Sequence, residues 1–148
     1  MRRYKLAFDP WGLLLFVLIM LPNLVWFAVP APRDILRGQS GTETLDAVAS
    51  VCQVLLVAAL CGVVNRERGP LRMTALLGSC AVCGLLYYLG WALYYRGIVY
   101  PTVILLLTAP PCLCFFFYAL DRKNFISIFP ITAFTICHLL CSYINFVV

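Results

Sequence analysis

The residues with the most chemistry to offer are a thiol pair, Cys80-x-x-Cys83, and four polar side chains in apolar surroundings, Asn23, Gln53, Thr108 and His138. A C-x-x-C pair moves electrons when one thiol is accessible and has a depressed pKa, as in membrane thiol oxidoreductases of the vitamin K epoxide reductase type. Such enzymes also use cysteines in an outer loop, whereas Cys52, Cys61, Cys80, Cys83, Cys112, Cys114, Cys137 and Cys141 all fall inside apolar runs. A thiol surrounded by lipid or apolar side chains stays protonated, so cysteine reads here as a small packing residue. One histidine and thiols scattered over several runs offer no local ligand spacing, so neither a metal nor any other cofactor is expected.

The four polar residues have two readings. Counted at about 1.5 Å per residue from the middle of each apolar run, all four fall within about 5 Å of one depth. They either glue helices together through hydrogen bonds worth about 0.6–2 kcal/mol each, or line a midplane site of the kind found in transporters. Pro22 beside Asn23 and Pro110-Pro111 near Thr108 remove helical donors at the same depth. Asp46, Ser50 and Gln53 share one helical face, a polar stripe by which a small solute could approach. Asp46 itself is read as a headgroup-level carboxylate favoured by a helix N-terminus, with proton carriage as the alternative.

The elements that carry these residues are set by composition. The 148 residues are 64% hydrophobic and 11% charged, with a mean hydropathy of +0.96. A soluble domain is about a quarter charged, so this is a membrane protein. Runs at 10–29, 45–64, 73–95, 99–120 and 126–148 are each long enough to cross about 30 Å of hydrocarbon, which needs roughly 20 residues. The expected fold is all-α, a single domain over 1–148 built as a polytopic bundle of five transmembrane helices. The first run resembles a signal peptide, but it is too long and Pro30 interrupts the small residues Ala28 and Ala31, so it is expected to remain. Asp9-Pro10 supplies its N-cap and first-turn proline. Ser40 and Glu43 fit the capping box S-x-x-E for the second helix. Pro110-Pro111 predicts a kinked fourth helix, the alternative being a re-entrant pair of half-helices. On the third, Ala75, Ser79 and Cys83 recur every four residues, a small-residue stripe expected to pack at the bundle centre or on a second copy.

Charge fixes the expected orientation. With five spans and a cytoplasmic N-terminus, Arg2, Arg3, Lys5, Arg66, Arg68, Arg72, Arg122 and Lys123 lie inside, and only Arg33, Arg37 and Arg96 outside. That distribution follows the positive-inside rule and predicts N-in, C-out. The net charge of +5 is split among short patches, which excludes a nucleic-acid-binding face. No ATP-binding loop, HExxH or GxSxG is present. The segment from Pro30 to Gly38 reads as a connector.

Leu21-Pro22-Asn23, Trp26-Phe27, Pro30-x-Pro32-x-Asp34-Ile35-Leu36 and Ala49-Ser50-x-x-Gln53 resemble small multi-spanning membrane proteins of Gram-positive bacteria to which no activity is assigned. The resemblance covers about the first half of the chain. It implies a bacterial plasma membrane and carries no catalytic residue. The expectation is thus an interaction or structural component of that membrane, whose partners are the bilayer and either a second copy or another membrane protein. A small transporter or solute-binding protein is the alternative, and a thiol oxidoreductase the third reading.

Overall fold

The computed structural model describes residues 3–147, and Met1, Arg2 and Val148 lie outside them. Five helices, α1 (Pro10–Ala28), α2 (Glu43–Gly62), α3 (Ala75–Tyr95), α4 (Pro101–Asp121) and α5 (Phe125–Phe146), are each long and apolar enough to cross a membrane. Successive helices run in alternating directions. One end of the bundle gathers the N-terminal segment and the α2–α3 and α4–α5 connections; the other gathers the α1–α2 and α3–α4 connections and the end of α5. The prolines at 110 and 111 do not divide α4, which continues to Asp121.

α4 is the most buried helix and the centre of the bundle, packed along α3 and α5, while α2 packs along α5. The small-residue stripe of α3 lies off this centre, which leaves packing on a second copy as its expected use. Ala75 and Ser79 are exposed and Cys83 is half-buried, whereas α3 buries Cys80, Tyr87, Gly90, Trp91 and Tyr94. Gly90 is needed there, since a Cβ would sit 2.9 Å from the Leu106 Cβ of α4 and 3.2 Å from the Leu106 carbonyl carbon. Backbones that close must be bare on one side.

α1 has little buried surface and is held by hydrogen bonds instead. Pro22 has no N–H to give the carbonyl of Leu18, one helical turn earlier. The Tyr88 hydroxyl donates to that oxygen at 2.6 Å, and Tyr87 donates to the next carbonyl, Ile19, at 3.0 Å. At the end of α1 the Tyr95 hydroxyl donates to Val29 O at 2.6 Å. Arg37 reaches back from a short 3-10 turn (Ile35–Arg37) to the carbonyls of Trp26 and Phe27, which have no helical donor left.

The same segment folds around Asp34, which is therefore more than part of a connector. Its carboxylate accepts from Trp26 Nε1 at 2.9 Å, Tyr94 OH at 2.9 Å and Arg37 Nε at 2.8 Å, and its side chain is 11% exposed.

The other end holds an element that the helix pattern does not announce. Strand β1 (Tyr4–Leu6) pairs antiparallel with β2 (Val63–Asn65), which explains why α2 stops at Gly62 although the apolar run continues through Val64. Ala7 N and Asp9 N then donate to Gly62 O and Cys61 O, and Asn124 Nδ2 donates to Ala59 O and Val63 O, so the last carbonyls of α2 are capped by other segments. Asp9, which caps α1 through Trp11 N, is buried and also meets Arg68 at 2.8 Å and the Tyr118 hydroxyl at 3.0 Å.

Candidate functional site

Asn23, Gln53 and His138 line one cavity of about 310 Å³ in the middle of the bundle, walled by all five helices. A second hollow of about 260 Å³ continues from it toward the end that carries the α1–α2 connection. The two share Asn23, Trp26, Asp46, Leu107 and His138, so together they form one cleft. Thr108 lines the second hollow, but its hydroxyl is turned to its own helix and donates to Ile104 O at 3.0 Å.

The polar residues do not bond to one another. Asn23 Nδ2 donates to the Tyr87 hydroxyl at 2.8 Å, a true interhelical bond. Gln53 Nε2 finds only the thioether of Met20, at 3.7 Å. His138 stacks on Phe134 with ring centroids 5.1 Å apart and has no hydrogen bond among the described residues. Pro111 and Leu107 form the α4 wall, and Pro111 leaves the Leu107 carbonyl without its helical donor.

Asp46 stands where the two hollows meet. It lies in the first turn of α2, half-buried, where the aligned backbone N–H groups favour a negative charge. Its Oδ2 accepts from the hydroxyls of Ser40 and Thr42. This replaces the expected capping box: the N-cap is Thr42, without a side-chain cap bond, and Ser40 Oγ accepts from Thr42 N at 3.1 Å and donates to Asp46. Asn145 of α5 locks this turn, donating to Thr42 Oγ1 at 2.8 Å and accepting from Gly41 N at 2.8 Å. Trp26, Tyr87 and Asn145 are the contributors that sequence reasoning did not place at the site. Trp26 carried a signal, since it follows Asn23 by three residues and shares its helical face. Tyr87 and Asn145 meet their partners across 64 and 103 residues, and nothing local points to them.

Comparison with family models, with curated proteins and with solved structures returned no match. What the site can do must therefore be read from its geometry. Among the described residues no group of three or more His, Cys, Asp or Glu is placed to hold a metal ion. Cys80 is buried and Cys83 half-buried, both as free thiols, and the Cys114 thiol donates to Cys80 O at 3.2 Å in the α3–α4 seam. Neither Cys80 nor Cys83 lines the cleft.

Proposed function

We propose that the chain is a multi-pass protein of a bacterial plasma membrane, N-terminus inside and C-terminus outside, that binds a small solute in this cleft. The observation that carries the reading is that Gln53 and His138 line the cavity without a nitrogen or oxygen partner among the described residues. Groups that merely glued helices would be satisfied by each other, because an unpaired polar group in an apolar medium costs about 1–3 kcal/mol. A volume of about 310 Å³ is also at the lower bound of ordinary ligand sites, roughly 300–1,000 Å³. The orientation rests on charge: Arg3, Lys5, Arg66, Arg68, Arg72, Arg122 and Lys123 belong to one end, against Arg33, Arg37 and Arg96 at the other. The cleft then opens outward. Binding, with no catalytic step, is the activity assigned.

The test uses purified protein in lipid nanodiscs and small cationic, neutral and anionic solutes, with thermal stabilisation as the readout of binding. At least one class should raise the melting temperature of the wild type, and His138→Phe or Gln53→Leu should lose that response while unfolding unliganded at nearly the same temperature. Stabilisation by no class, or unchanged stabilisation in both variants, overturns the reading.

A second reading, an interaction component, is favoured by one observation. Ala75 and Ser79 are exposed on α3, leaving a small-residue edge on which another helix could pack. Crosslinking through Ser79→Cys in native membranes should capture a second copy if that edge is used, and a monomer-only pattern counts against it.

A further inference from the structure

We infer that the solute taken by the cleft is a small organic cation, with Asp46 as its counter-charge. This rests on the solute-binding reading above and assigns the ligand class. The first argument is a charge census of the walls. Asp46 is the one carboxylate lining either hollow, and no lysine or arginine lines them among the described residues. Nor does a basic side chain elsewhere among the described residues form an ion pair with Asp46: Arg37 at the same end is engaged by Asp34 and by the last carbonyls of α1. The helix N-terminus favours a negative charge here, the Ser40 and Thr42 hydroxyls both bond to Oδ2, and the Cys141 thiol of α5 also bonds to the carboxylate, while His138, the basic group of the walls, forms no ion pair with it, so among the described residues its charge has hydrogen-bond donors around it but no cation. A half-buried carboxylate in this state attracts a positive ligand rather than a neutral or negative one.

The second argument is the character of the remaining wall. Trp26, Phe115, Phe134 and Ile19 line the larger hollow, and although Arg37 lies over one face of Trp26 and His138 over one face of Phe134, the wall they make is aromatic and apolar, which suits alkylammonium groups, whose charge is diffuse and whose surface is apolar. A hard metal cation would instead need about six oxygen ligands, which this wall lacks. The amide of Gln53 remains to meet a polar substituent such as a hydroxyl.

Choline and the neutral alcohol in which a tert-butyl group replaces its trimethylammonium separate charge from shape. In nanodiscs, choline should bind the wild type at least tenfold more tightly than the neutral analogue. Asp46→Asn, which keeps an acceptor for Ser40, should abolish the preference, and Asp46→Glu should retain part of it. If the analogue binds as tightly as choline and His138→Phe abolishes both, the cleft reading stands and the cation assignment falls. A preference for choline that survives Asp46→Asn also overturns the assignment. Binding of neither probe, nor of any anionic solute, overturns the cleft reading as well.

Discussion

Asp34 ties the end of α1, the 3-10 turn and α3 together through one carboxylate. Burial alone would raise its pKa, but the hydrogen bonds from Trp26, Tyr94 and Arg37 outweigh that and hold it below the ordinary carboxylate value. A carboxyl depressed in the folded state adds stability above its unfolded pKa and loses it as pH falls through the folded one. Asp34→Asn should therefore cost about 2–3 kcal/mol near neutrality, where charge-assisted bonds are lost, and progressively less below about pH 4. Melting temperatures of the two proteins followed from neutral to acid pH check this; a gap that stays constant refutes it. The sequence shows Asp34 only as one charge in a short connector, because Tyr94, its partner from α3, is 60 residues away. Asp46 was legible as a carboxylate at a helix start, since capping chemistry is local. Its polar stripe with Ser50 and Gln53 was legible from helical spacing, whereas the cavity beside that stripe depends on how α1 and α5 pack beside α2.

At the scale of elements, helix boundaries were largely readable from apolar run length, and helix partners were not. The stripe of Ala75, Ser79 and Cys83 satisfied a packing rule, yet α3 turns the face of Tyr87 and Gly90 to its neighbours, because those residues let α3 both approach α4 and bond to α1. Two substitutions test that account. Gly90→Ala should destabilise the bundle by about 1–3 kcal/mol, since the new Cβ must displace Leu106 side chain and backbone together. Tyr88→Phe should cost about 1–2 kcal/mol by leaving Leu18 O without a donor. In a Pro22→Ala background the helix supplies its own N–H to that carbonyl, so the cost of Tyr88→Phe should shrink. Additive effects in this double-mutant cycle, measured by unfolding in detergent, would show that the proline-freed carbonyl is not what Tyr88 serves. The β1–β2 pairing escaped the sequence because three-residue strands carry no periodicity long enough to read.

For the whole molecule, five alternating helices and a basic N-terminal end predict that a phosphatase fused after Val148 is active and a cytoplasmic fluorescent reporter there is dark. The reverse pattern would place the cleft on the cytoplasmic side. The five long apolar helices were legible because the length that hydrocarbon thickness calls for is written in the apolar runs, whereas the cleft arises from what the helices leave unfilled between them. The pairing that joins Tyr4–Leu6 to Val63–Asn65 also sets an order of assembly. Chains leave the ribosome N-terminus first, so α1 is complete before β2, Arg68 or Tyr118 has been synthesised. The first of the five helices to be made is consequently secured only once α3 supplies Tyr87, Tyr88 and Tyr95 and α4 supplies Tyr118. In the proposed membrane setting it waits as a solitary segment until those anchors emerge, and that interval is when an insertase or membrane chaperone would have to hold it.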